Sequence, residues 1–269
     1  MSFRAEVEAG RPRAQIAGVE LSYVAAFVAI ELVGLVQPMV AAIGQALMVV
    51  ALINHYVVAE RDHRHPLLLA LSVVCLYRLL AFTPLPSNDF TNHLVLVGAP
   101  VLLATFLALR LVGVPAGPVI LQRKSMGIQM AIALSGIPLS NIAYKLLKPG
   151  FVVTFSGANR SHLAAVAAAV AALVVFSGIG EELLFRVLLH NAARSRFATS
   201  ALYVSTAVFG AAYLGSRSVP FVLFAVAVGA FFGWCYERTG SIIGPMMAHS
   251  IISVGVFVVW PSFAHVAHL

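Results

Sequence analysis

Apolar runs of about 20 residues, the length that crosses a bilayer as a helix, alternate with short polar connectors along almost the whole chain. The windows predict helices near 15–36, 38–58, 66–83, 93–113, 126–147, 162–191, 198–215, 219–237 and 241–260. Only Gln37-Pro38 separates the first two, so they form either a hairpin or one bent span, and the count is eight or nine. The expected fold class is all-α, a polytopic transmembrane helical bundle. No soluble domain, internal repeat or low-complexity linker interrupts the pattern.

Composition sharpens this reading. The 269 residues are 61% hydrophobic and 10% charged, with a mean hydropathy of +0.95, whereas a soluble domain carries about 25% charged residues. The net charge of +7 would suit a nucleic-acid binder. The basic residues, however, sit in short connectors, with no basic face and no stacking surface, so no nucleic-acid partner is expected. With nine spans and the N-terminus inside, the inner segments hold Arg4, Arg11, Arg13, Arg61, Arg64, Arg110, Arg123, Lys124, Arg194, Arg196 and Arg238. Arg186 is also on that side but at membrane depth, Arg78 lies within a span, and Lys145, Lys148, Arg160 and Arg217 fall outside. The bias predicts a cytoplasmic N-terminus and an integral protein of a prokaryotic inner or plasma membrane. The mixed-charge start, Met1 to Arg13, leads into an uncleaved first helix rather than a signal peptide. Cys75 and Cys235 fall inside apolar runs and imply neither a disulfide framework nor a metal spacing.

Against this background the stretch Gly178-Ile179-Gly180-Glu181-Glu182-Leu183-Leu184-Phe185-Arg186 stands out. It follows Ala164 to Phe176, a run drawn only from Ala, Val, Leu and Phe. A charge at the bilayer centre costs about 2.5–3.5 kcal/mol on insertion scales, so adjacent glutamates there mark a functional site. Glu182 and Arg186 are four apart and share a helix face, while Glu181 is turned about 100° away. One reading has Arg186 neutralise and orient Glu182, leaving Glu181 to handle a proton or a water. The other has a buried Glu–Arg pair that fixes helix packing, with Glu181 reaching an interface.

Further polar residues occupy the earlier spans: Glu20, Glu31, Asn54, Arg78 and Asn141. Glu20 and Glu31, about three turns apart, share a face and either line a cavity with Glu181 or pair with Arg78 and sit at interfaces. His55, His63 and His65 surround the Arg61–Arg64 connector as solvated histidines. Gly229-x-x-x-Gly233 either admits a neighbouring helix closely or reflects the ordinary frequency of glycine in membrane helices. In the later spans Tyr213 and His249 are the salient polar positions. From the inner helix ends, Glu181 lies about 15 Å deep, Tyr213 about 20 Å and His249 about 12 Å, so one shared site is geometrically allowed.

The motif Glu181-Glu182-x-x-x-Arg186, then Phe209-x-x-x-Tyr213, then His249-x-x-x-Ser253 resembles the CPBP family. These are the CAAX prenyl proteases and bacteriocin-processing intramembrane proteases, also called Abi. Phe185-Arg186 before Leu188-Leu189, and the stretch Trp234 to Ser241 ahead of the last histidine, add to the likeness. It covers about residues 162–256, dividing the chain into N-terminal transmembrane helices (1–160) and a CPBP/Abi-like catalytic helical core (161–260).

The resemblance implies an intramembrane endopeptidase acting on a membrane-associated peptide or protein, with the lipid bilayer as its surroundings. Glu181 would be the general base on a water, and His249 and the residue at 213 would stabilise the oxyanion. Glu182, Arg186, Phe209 and Ser253 would support them. A carboxylate in a desolvated cavity is the better base, which agrees with the division of roles read from spacing. The cavity is expected to open toward the cytoplasm. No metal ligand is assigned; a divalent metal stays open as a cofactor, as the family's description as intramembrane metalloproteases allows. Two positions depart from the pattern: Tyr213 stands where the family has histidine, and Ser253 where it commonly has asparagine. Tyrosine donates to an oxyanion but is a poor ligand for divalent metals. His190, nine residues beyond Glu181, is too far along the helix to substitute. The alternative expectation is a non-catalytic CPBP-like protein that binds a peptide or protein partner in immunity or maturation. A weaker one is a transporter with a path through Glu20, Glu31, Glu181 and Arg78; the chain lacks the matching halves that would favour it.

Overall fold

The computed structural model describes residues 3–59, 65–82, 90–113, 126–147, 149, 153 and 160–267, with the side chains of those from 18 to 264 other than 160 and 161. Helices account for nearly all of it, and there is no strand among the described residues. We number them α1 (Phe3–Gly34), α2 (Pro38–Val58), α3 (Pro66–Phe82), α4 (Phe90–Val112) and α5 (Met126–Leu147). The next rod, α6, runs without interruption through Arg160–Ala172, Leu173–Gly180, Leu183–His190 and Asn191–Phe197. Then come α7 (Ala201–Ala212), α8 (Val219–Thr239) and α9, which continues from Ile243–Val254 through Gly255–Val259 to Trp260–Ala267. Six of the described helical segments are long and apolar enough to cross a membrane, and Pro66–Phe82 is a shorter apolar helix. The protein is an integral membrane helical bundle. Leu47, Val50, Leu103, Leu111 and Leu223 stay exposed on its outer faces, as bilayer contact requires.

The helix ends follow local chemistry. Pro38 opens α2 and Pro220 lies in the first turn of α8, where no amide donor is lost. The Ser218 hydroxyl accepts from the Phe221 amide and caps α8. Gly240, at φ +66°, closes α8 in the left-handed conformation that glycine adopts without strain. The α6 rod ends at Ala198, whose φ of +47° breaks the helix. The window pattern placed that end near 191. With no proline or glycine after Gly180, nothing stops the helix earlier.

Ion pairs and hydrogen bonds place the helix ends into two groups. Glu20 in α1 meets His65 at the start of α3 and Arg196 at the end of α6. Asn191 in α6 donates to the Tyr236 hydroxyl near the end of α8, and Gln129 near the start of α5 accepts from the Gly244 amide in α9. At the opposite end, Arg78 in α3 pairs with Glu31 in α1. There too Ser218 before α8 donates to the Leu146 carbonyl late in α5, and Phe90 packs on Phe257. The first group of ends carries most of the basic connectors and is called the basic end here.

Between these ends the main core packs Phe27 of α1, Leu67, Leu68 and Leu71 of α3, and Leu184 and Leu188 of α6. The pairs Arg78–Glu31 (2.9 Å) and Arg196–Glu20 (2.6 Å) settle the role of the early glutamates. Gln45 also donates to Glu31. Both carboxylates are buried structural partners between helices, and neither lines the cavity around Glu181.

Candidate active site

Two stretches of α6, Leu173–Gly180 and Leu183–His190, adopt the wider i→i+5 hydrogen-bonding of a π-helix. Such widenings are uncommon and concentrate at functional sites. Glu181 and Glu182 sit at the joint between them. Gly178, just ahead, serves close packing, since a Cβ there would run into Ser250 of α9. Gly229 and Gly233 act likewise on α8, where a Cβ would meet Phe209 and Leu202 of α7, so the close-approach reading of that motif holds.

The two glutamates face different surroundings. Glu182 is fully buried, whereas the Glu181 side chain keeps 12% of its surface and lines a cavity of about 290 Å³. Arg186 reaches Glu182 Oε2 through Nε at 3.1 Å. Its guanidinium stacks over Phe209 at 4.5 Å, faces Phe232 at 5.8 Å, and donates to the Gly229 carbonyl at 3.3 Å. Cation–π contact of this kind stabilises a desolvated arginine by about 2 kcal/mol. Phe209 is thus the platform for Arg186, and it packs edge-on against Phe185.

The other Glu182 oxygen, Oε1, lies 2.7 Å from His249 Nδ1. That contact between α6 and α9 holds the imidazole so that Nε2 turns toward Glu181, 3.8 Å from Oε2. The Tyr213 hydroxyl, just past the end of α7, donates to the same Oε2 at 2.7 Å. Glu181, Tyr213 and His249 therefore meet at one point from three helical segments. Ser253, one turn beyond His249, exchanges a 2.8 Å hydrogen bond with Ser177 and also lines the cavity. His190 stays apart: it is buried against Ser205 (3.0 Å) and Glu237 (3.2 Å) and does not border the cavity.

Two residues beside Glu181 escaped the sequence reading. Ser177 donates to Glu181 Oε1 at 3.4 Å, and Tyr77 of α3 approaches the same oxygen at 3.5 Å. The i, i+4 spacing of Ser177 and Glu181 would have found the first. Nothing local marks Tyr77, because only the packing of α3 on α6 brings it there.

The remaining cavity wall is mainly apolar: Leu94, Val97, Leu147, Phe176, Phe221 and Val256. The floor holds the ionisable groups, and the rim includes Ala81, His93, Leu147 and Ser216. These rim residues belong to the end opposite the basic one. The sequence predicts an opening toward the cytoplasm; on the basic side of the cavity Glu182, Arg186 and His190 are buried, with at most 2% exposure each.

The donor set does not suit a divalent metal. Among the described residues no three His, Cys, Asp or Glu side chains are grouped to hold one. His249 Nδ1 is committed to Glu182, which leaves Glu181, one imidazole nitrogen and a tyrosine, fewer than the three good ligands of a catalytic zinc site.

Residues 163–255 match the family model described as Rce1-like, type II CAAX prenyl endopeptidase Rce1-like. This is the family grouping that the motifs resemble, and the matched segment contains Glu181, Tyr213 and His249. No match is found among curated proteins or among solved structures.

Proposed function

We propose that this membrane protein, whose residues 163–255 are of the CAAX-protease type, is an intramembrane endopeptidase. It hydrolyses a peptide bond of a membrane-associated substrate with water activated by Glu181. The observation that carries the reading is the convergence of the Tyr213 hydroxyl (2.7 Å) and His249 Nε2 (3.8 Å) on the one cavity-facing carboxylate oxygen.

The chemistry follows from the positions. Glu181 takes a proton from water as the water oxygen attacks the scissile carbonyl carbon. The carbonyl oxygen becomes an oxyanion, which accepts hydrogen bonds from Tyr213 and from His249 in its doubly protonated form. Collapse of the tetrahedral intermediate breaks the C–N bond, and Glu181 returns the proton to the leaving amine. A positioned base contributes about 10²–10⁴ in rate, and one oxyanion donor about 10²–10³. Glu182 and Arg186 work indirectly: Arg186 balances Glu182, and Glu182 orients His249. Phe209 in turn seats Arg186, and the Ser177–Ser253 pair holds the cavity wall beside the base.

A second reading, a protein that binds a peptide or protein partner without cleaving it, draws on one observation. The Tyr213 hydroxyl occupies the same Glu181 oxygen that a water must approach. Incubating the purified protein with a library of membrane peptides separates the two. Endopeptidase action requires cleavage by the wild type and its loss in Glu181→Gln; binding without cleavage in both would favour the second reading.

A further inference from the structure

The charge pattern and the cavity give opposite faces of the bundle different jobs. The connectors and helix ends of the basic end carry eleven Lys and Arg by sequence, namely Arg4, Arg11, Arg13, Arg61, Arg64, Arg110, Arg123, Lys124, Arg194, Arg196 and Arg238. The connectors and helix ends of the opposite end carry four, Lys145, Lys148, Arg160 and Arg217, beside Arg78, which pairs with Glu31 inside the bundle. Short connectors rich in Lys and Arg stay on the cytoplasmic side. The cavity lies at the other end. Tyr77 is five residues from the end of α3 on that side, about 8 Å, but eleven from its basic-side start, about 16 Å. Gly98 is eight residues from the start of α4, about 12 Å, and about 21 Å from its basic end. Along α9 the lining proceeds from His249 at the floor to Phe257, which packs on Phe90 at the rim. Below the floor, the Glu182–Arg186 pair and buried His190 leave no opening toward the basic end.

We infer that the cavity is served from the extracytoplasmic face, so that its substrate is a translocated peptide or the outward-facing end of a membrane segment. The inference rests on the endopeptidase reading for the word substrate, but its sidedness stands independently. The wall also restricts the chemistry. Among the described lining residues there is no Lys or Arg, and His93 is a basic group at the rim. The described wall, mainly apolar, suits an apolar stretch whose backbone carbonyl is delivered to Glu181.

Sidedness is tested with single cysteines in the full-length chain in intact bacterial cells, labelled by a membrane-impermeant maleimide. The native Cys75 and Cys235 are buried and serve as the unlabelled background. Arg217→Cys reports the cavity end, His93→Cys the rim and Arg238→Cys the basic end; Arg217 and Arg238 are exposed. The expected result is labelling of Arg217→Cys and His93→Cys in intact cells, with Arg238→Cys unlabelled until the membrane is permeabilised. Labelling of Arg238→Cys in intact cells, with or without Arg217→Cys, would overturn the inference. So would Arg217→Cys reacting only after permeabilisation. The readout needs no catalysis, so a failed peptide-cleavage assay beside the expected labelling would count against the endopeptidase reading alone.

Discussion

Replacing Arg186 by methionine tests whether Glu182, Arg186 and His249 form one electrostatic unit. The substitution removes the 3.1 Å ion pair, the bond to the Gly229 carbonyl and the stack on Phe209, and leaves the fully buried Glu182 facing only His249. Breaking a buried pair by removing one partner costs about 3–5 kcal/mol, because the remaining charge has lost its compensation. The methionine sulfur recovers about 1 kcal/mol against Phe209 and Phe232. The net expectation is a loss of about 3 kcal/mol, roughly a hundredfold in the folding equilibrium. Equilibrium unfolding of the purified protein in mixed detergent micelles reads this. The Glu182→Gln/Arg186→Met double variant completes a cycle. With neither charge present it is expected to cost about 2 kcal/mol less than the sum of the singles. A single Arg186→Met loss below about 1 kcal/mol, or simple additivity in the cycle, would refute the reasoning.

Other substitutions separate the remaining roles. Tyr213→Phe removes the donor 2.7 Å from Glu181 and is expected to lower kcat by about 10²–10³ while leaving KM nearly unchanged. Tyr77→Phe, at 3.5 Å, is expected to cost less than about tenfold in the same assay. Glu31→Gln leaves Arg78 without its charge partner and is expected to lower stability in the unfolding assay, with the kcat of the surviving folded protein intact. Gly178→Ala forces a Cβ against Ser250 and is expected to destabilise the α6–α9 contact by about 1–3 kcal/mol, read as a lower thermal midpoint in detergent.

The helices were largely legible because membrane length and hydropathy leave few alternatives: the predicted windows 38–58, 66–83 and 126–147 coincide with α2, α3 and α5 to within a residue. The i, i+4 spacing of Glu182 and Arg186 likewise foretold their pairing. Three features were not readable. The π stretches of α6, which flank Glu181 and Glu182, are widenings that a 100° wheel does not contain. The Glu182–His249 contact joins residues 67 apart, and its existence rests on α9 docking against α6. Tyr77 reaches Glu181 across 104 residues for the same kind of reason. Charge counts orient the ends of a bundle but say nothing of where its interior is hollow.

Cleavage of one membrane peptide by six proteins would weigh the catalytic assignment itself: wild type, Tyr213→His and Tyr213→Phe, each with and without Glu181→Gln. Wild type and Tyr213→His are expected to cut the same bond, Tyr213→Phe to cut it far more slowly, and every Glu181→Gln form to be inert. Cutting that survives Glu181→Gln, or that occurs only in Tyr213→His, would contradict a working site built on Glu181, Tyr213 and His249.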